Sequence, residues 1–284
     1  MNFDYWFIYS IPTLNMNPPK LIYGTAWKEE ATKTLVCHAI KAGFRGIDTA
    51  NQRKHYFEAA VGEAIAEMIK TKTITREDLF IQTKFTYING QDHRLPYDRN
   101  ADLTEQVYQS FKSSLEHLQT EYVDSYILHG PSTSPGLGES DFNVWNAMEA
   151  LHDEHKVKYL GASNININQL KQLFKKARIK PKFVQNRCFA QLEWDKEIRE
   201  FCKKYNIIYQ GFSLLTANPF IIPRIQHITK KVNKTPAQVV FKFAQQIGML
   251  PLTGTTNIEH MKQDLDLDFE LTRDEVEFIE KVGI

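Results

Sequence analysis

The chain has 284 residues, of which 42% are hydrophobic and 24% charged, and 35 Lys and Arg face 34 Asp and Glu for a formal net charge of +1. That is a globular composition, long enough for one α/β barrel of about 250 residues with no disulfide or metal staple. The near-zero charge offers no footprint for nucleic acid or an anionic membrane, and no apolar run approaches the ~18–20 residues of a membrane helix, so we expect a cytoplasmic protein with neither partner.

The first apolar stretch, residues 5–9, is short and follows Asp4 rather than a basic residue. It reads as a flap or base strand within residues 1–20, not as a signal peptide. Then a pattern repeats: a short apolar run, a loop, an amphipathic helix. The runs are 21–23, 46–48, 79–83, 123–128, 159–162, 183–185, 207–211 and 249–252. Each is too short for a helix and reads as a buried parallel strand. Helical apolar spacing falls between them, at Leu35 and Ile40, at Val61, Ile65 and Met68, and at Val107, Phe111, Leu115 and Leu118. It continues at Trp145, Met148 and Leu151, at Leu170 and Leu173, and at Ile198 and Phe201. Thr235 followed by Pro236 is a helix start, with Val239, Val240, Phe243, Ala244 and Ile247 on one face. A helix over 258–265 and a last one opened by the capping box Thr272 to Glu275 complete the pattern.

Eight strands alternating with helices imply a parallel sheet covered on both faces. The first strand runs into Gly24-Thr25-Ala26-Trp27 rather than a G-x-G-x-x-G turn, which favours a closed (β/α)8 TIM barrel over an open nucleotide-binding sheet. We expect a single domain over 1–284. Cys37, Cys188 and Cys202 have neither zinc nor redox spacing and read as idle free thiols.

In such a barrel the chemistry lies where the strands' C-terminal ends meet. The runs end in Asp48, Lys84, His129, Ser163-Asn164, Gln185-Asn186, Phe212-Ser213 and Thr253 to Thr256. Taken singly, Asp48 could cap a helix, Lys84 could reach solvent, His129 could be a core histidine and Gln185 could pack against backbone. One barrel mouth accounts for all four together. Asp48 and Lys84 on neighbouring strands would pair, and a lysine beside a phenol would lower the phenol's pKa and make it a better proton donor. Tyr56, after the second strand, is the candidate phenol, though alone it could be an ordinary aromatic at a helix start.

Gly43-Phe-Arg-Gly-Ile-Asp48-Thr-Ala50, followed by Tyr56, Glu58 and Val61-Gly62, resembles the signature of the aldo-keto reductases. So do Thr83-Lys84, Leu128-His129-Gly-Pro131, Gly161-Ala-Ser163-Asn164 and Val184-Gln185-Asn186, in matching order from about Leu21 to about Leu265. The resemblance implies an NAD(P)H-dependent reduction of aldehydes and ketones to alcohols, with the tetrad Asp48, Tyr56, Lys84 and His129. It makes Tyr56 the proton donor, His129 the group that polarises the carbonyl, and Asp48 the holder of Lys84. It places Ser163, Asn164 and Gln185 on the nicotinamide carboxamide, Phe212 against the ring, and Gly24 and Thr25 beside the cofactor. Ser213 and Leu215 begin the stretch over the pyrophosphate, and Thr255, Thr256, His260 and Asp264 line the adenosine-phosphate region.

Two departures stand out. Asp48 and Tyr56 lie further apart in sequence than is common in the family, which makes His55 a rival to Tyr56. Gly254 and His260 stand where the family often has lysine and arginine, so NADP is expected with NAD as the alternative. Trp27 is a candidate substrate wall. The chain stops soon after its last helix, from which we expect an open pocket and broad specificity. We expect no metal, a monomer or weak homo-oligomer, and a small carbonyl or alcohol substrate. The competing functions are a cofactor-binding regulatory protein with little turnover, and an unrelated barrel using Lys84 as a Schiff-base amine, which requires a depressed lysine pKa and no carboxylate partner.

Overall fold

The structure is a computed structural model and describes residues 19–283. The expected flap at residues 5–9 lies outside the described residues. The eight strands are β1 (Ile22–Gly24), β2 (Gly46–Asp48), β3 (Phe80–Phe85), β4 (Val123–Leu128), β5 (Val157–Ser163), β6 (Phe183–Arg187), β7 (Ile208–Phe212) and β8 (Met249–Thr253). All neighbours pair in parallel, and β8 closes on β1 to complete the barrel. The helices α1 (Thr32–Ala42), α2 (Glu58–Lys70), α3 (Leu103–Leu118), α4 (Glu139–Asp153), α5 (Ile167–Lys176) and α6 (Lys196–Lys204) follow the first six strands in turn. After β7 come two short helices, α7 (Ile221–Arg224) and α8 (Gln226–Val232), and then α9 (Pro236–Gln246). Helices α10 (Ile258–Leu265) and α11 (Arg273–Lys281) follow β8.

Strand alternation divides the apolar residues into two sets. Those facing outward join the helices' inner faces in one large core that includes Tyr23, Ile47, Ile81, Tyr126, Trp145 and Trp194. Those facing inward, among them Ile22, Phe80, Ile127, Phe183, Leu250 and Leu252, pack together inside the bore. The bore is narrow enough to need glycine at one level. A Cβ on Gly161 would lie 2.3 Å from Ile127 Cδ1 and 2.7 Å from the Phe183 carbonyl.

Thr235 and Thr272 each accept from the backbone N–H three residues on, as their sequences require, and start α9 and α11. The predicted strands differ from the observed ones by one or two residues at several ends. β3 and β5 run on to Phe85 and Ser163, because inward polar side chains continue the ladder beyond the apolar residues that mark a strand in sequence. Helices α7 and α8 have too few turns to show a period and were not anticipated.

Candidate active site

Asp48 ends β2, and Lys84 is one residue from the end of β3; both point into the top of the bore. Lys84 Nζ donates to Asp48 Oδ1 and Oδ2, each at 2.7 Å, and to the Thr49 carbonyl at 2.7 Å. Both side chains are buried. The ammonium has three N–H groups and all three are used. Burial lowers the Lys84 pKa, as a Schiff-base lysine needs, but the Asp48 carboxylate removes the other condition, a lysine without an acidic partner.

Tyr56 lies between β2 and α2 and lines the same cleft. Its ring centroid is 5.1 Å from Lys84 Nζ, and it meets the His129 ring edge-on at 5.9 Å. Burial, reinforced by the Asp48 carboxylate, pushes its phenol above the usual tyrosine pKa. The sequence reading expected the opposite direction. The reason lies in the geometry, since Lys84 directs its protons to Asp48 and Thr49 and burial dominates what remains. At neutral pH the phenol therefore holds its proton.

His129 follows β4. Its Nδ1 is 2.7 Å from Thr86 Oγ1, and its carbonyl accepts from Asn164 Nδ2 at 2.8 Å. Burial, then the charge of Lys84, holds its pKa well below the ordinary histidine value, so the ring is neutral. His55, the rival to Tyr56, stacks on Trp27 with centroids 4.0 Å apart, and it is Tyr56 rather than His55 that lines the cleft.

The cleft encloses about 480 Å³. Gly24, Trp27, Ser163, Asn164, Gln185, Phe212, Ser213, Leu215, Thr255, Thr256, His260 and Asp264 all line it with Asp48, Tyr56 and His129. Thr25 is a correction: it is fully buried, and its hydroxyl donates to the Asp48 carbonyl at 2.9 Å, so it braces β2 instead of facing the cleft. Lys84 likewise lies beneath the cleft floor rather than on it. Trp27 is 70% exposed and stands at the rim. Asp264 is buried, accepts from Thr253 Oγ1 at 2.7 Å, and has a pKa pushed up to about 6 by burial.

Asn164 and Ser213 are held at φ +53° and +59°. A side-chain-bearing residue seldom adopts this left-handed region, and such backbone collects at functional sites. Lys28, Gln82 and Gln210 are buried and were not anticipated from the sequence. Lys28 is buried beside the cleft, donates to the Gly254 carbonyl at 2.7 Å, and has a pKa lowered to about 8 by burial. Gln210 lies in the bore, bonded to Gln185 at 3.0 Å. A lysine four residues beyond a strand gives no sequence signal, but a glutamine inside an apolar strand does.

The model of the aldo/keto reductase family matches residues 20–284. The chain belongs to the aldo/keto reductase family. Among curated relatives, an uncharacterized oxidoreductase, YtbE, of Bacillus subtilis (strain 168) is 32% identical over 89% of this chain and 82% of its own length. Prostaglandin F synthase 1 of Bos taurus is 31% identical over 92% and 87%, and glyoxal reductase of Bacillus subtilis (strain 168) is 30% identical over 89% and 84%. Of solved structures, an aldo/keto reductase from Brucella melitensis superposes with a TM-score of 0.79 at 27% identity, covering 93% of each chain. The closed eight-stranded barrel and the match over nearly the whole chain agree with the architecture expected from sequence. Among the described residues of this aldo/keto reductase, no helix is long and apolar enough to cross a membrane.

Proposed function

We propose that this family member reduces aldehydes and ketones to alcohols with a reduced nicotinamide dinucleotide, NADP(H) first and NAD(H) as the alternative. The observation that carries the reading is the convergence of a protonated phenol, Tyr56, and a neutral imidazole, His129, above the Asp48–Lys84 pair in one cleft.

The cleft suits the cofactor on chemical grounds. A carboxamide offers two N–H donors and one acceptor. Asn164 Nδ2 is spent on the His129 carbonyl and on Ser163 Oγ at 3.2 Å, which turns its Oδ1 elsewhere. Gln185 spends its Nε2 on Asp48 Oδ1 and Gln210 Oε1, both at 3.0 Å, and keeps its Oε1. Two acceptors and the Ser163 hydroxyl thus remain for the carboxamide, with Phe212 as the flat wall for the ring. Lys28, Thr255, Thr256 and His260 would face the phosphates, with Lys28 supplying the cation that Gly254 cannot. A bound reduced nicotinamide supplies the hydride.

The protein's own part is positioning and proton supply. His129 orients the carbonyl oxygen and withdraws charge from it as a neutral donor. Tyr56 delivers its proton to that oxygen as negative charge develops there. Lys84, fixed by Asp48, places a positive charge under the phenol and stabilises the phenolate left behind. Trp27, exposed at the rim, would wall the substrate side on one edge only, and we propose broad specificity. The relatives named for glyoxal and for a prostaglandin are about equally similar to this chain, so identity alone selects neither substrate size.

Initial rates of NADPH and NADH oxidation against a panel of small, aromatic and long-chain aldehydes test the reading. We expect turnover across several classes and a lower KM for NADPH. Tight dinucleotide binding with no oxidation by any carbonyl would instead favour a regulatory binding protein.

A further inference from the structure

The bore of an α/β barrel is ordinarily filled by branched apolar side chains. Here the lower level follows that rule, with Phe80, Ile127 and Phe183 in contact. The level above it does not. Gln82 on β3 and Gln210 on β7 are fully buried, on strands four apart in a ring of eight and so on opposite sides of the bore. Their amides meet reciprocally: Gln82 Nε2 donates to Gln210 Oε1 at 2.9 Å, and Gln210 Nε2 donates to Gln82 Oε1 at 3.1 Å. Gln82 Nε2 also donates to Asp48 Oδ1 at 2.7 Å. Gln185 Nε2 donates to the same two acceptors, Asp48 Oδ1 and Gln210 Oε1, at 3.0 Å each.

Two apolar side chains of similar volume would fill this space without removing amides from water. What the glutamines add is direction. Asp48 Oδ1 receives N–H donors from Lys84, Gln82 and Gln185, while Oδ2 receives one from Lys84. The carboxylate plane is thereby fixed, and its charge is shared among donors instead of falling on Tyr56.

We propose that Gln82 and Gln210 are positioning residues, an amide bridge across the bore that locks the Asp48 carboxylate beneath Lys84 and ties the cleft-facing Gln185 to it. The bridge rests on the carbonyl-reductase reading for its purpose, but its geometry is independent of turnover. The groups that face Tyr56 are Asp48 from β2, Lys84 from β3 and His129 after β4, with His55 adjacent in sequence and Glu58 acting on Lys84 through space. Of these, Asp48 is the one the bridge touches. Withdrawing the amide donors leaves more negative charge beside the phenol, which holds its proton more tightly.

The test pairs Gln82→Met with Gln210→Met in one variant, which removes both halves of the reciprocal pair and leaves Gln185 its contact with Asp48. The ligand-free crystal structure of the variant reads the Asp48 carboxylate, and steady-state kinetics read its effect. We expect the carboxylate to turn out of its two-oxygen contact with Lys84, and kcat for an aldehyde to fall about tenfold with the aldehyde KM within about twofold of wild type. A folded double variant with the Asp48 carboxylate in its wild-type place and wild-type kcat overturns the bridge. Should the double variant not fold, Gln82→Met alone makes the same measurement, since it removes the Asp48 contact and leaves Gln210 bonded to Gln185. A wild-type protein that turns over no carbonyl counts against the functional reading, while the ligand-free structure still decides the bridge.

Discussion

Lys28 is the residue whose environment most directly invites a ligand. Its ammonium lies buried beside the cleft, over the Tyr23 ring at 5.1 Å, with one N–H on the Gly254 carbonyl and, among the described residues, no carboxylate within salt-bridge distance. A buried cation without a counter-ion is costly, and burial lowers its pKa to about 8. An anionic phosphate in the cleft would relieve that cost. The sign follows: the ammonium attracts phosphate and the neutral amine does not, so cofactor affinity should be full below about pH 8 and decline as the pH rises through it. Fluorescence titration should show wild-type Kd for NADPH rising over that window. Lys28→Met should bind about tenfold or more weakly at pH 7, with a Kd that no longer changes there. Identical pH dependence in both proteins would remove Lys28 from the phosphate site.

Among the elements, α2 matters because it leads away from Tyr56 and must sit close against α3. Gly62 permits the approach: a Cβ there would lie 1.9 Å from the His117 carbonyl oxygen and 2.7 Å from Leu118 Cα. Backbone cannot yield as a side chain can. Gly62→Ala should therefore destabilise the fold by about 3 kcal/mol despite alanine's better helix propensity, measured by urea unfolding; unchanged stability would show that the two helices can part. Glu58, at the start of α2, reinforces the junction by accepting from the Thr83 hydroxyl and lying 3.1 Å from His117 Nδ1. Elements of this kind were legible in sequence where a local signal exists. Thr235-Pro236 and Thr272 to Glu275 mark helix starts by their own chemistry. The strand cores showed as apolar runs, and Asp48 and His129 as polar residues closing or following them. The unread parts depend on contacts remote in sequence. Gln82 and Gln210 meet across 128 positions of chain, Lys28 meets Gly254 across 226, and Thr25 turns toward β2 because of the backbone path after β1. The direction of the Tyr56 shift was also hidden, because it depends on how deeply the phenol is buried and on where Lys84 spends its three protons.

At the scale of the whole molecule, closing the sheet is what makes the site. β2, β3 and β4 bring Asp48, Lys84 and His129 side by side, and β5 to β8 bring the groups suited to a dinucleotide around the other side of the same mouth. The lower bore is packed with aromatic and aliphatic side chains and gives the polar level a rigid floor, while the amide bridge of Gln82 and Gln210 joins opposite walls just above it. In the proposed reaction this assembly serves one step, the passage of a proton from Tyr56 to a carbonyl oxygen. The rate of NADPH oxidation by an aldehyde for wild type and Tyr56→Phe, each at saturating cofactor with Kd measured in parallel, tests that step. We expect a loss of at least about a hundredfold in kcat with cofactor Kd nearly unchanged. A Tyr56→Phe protein that turns over at the wild-type rate would rule the step out.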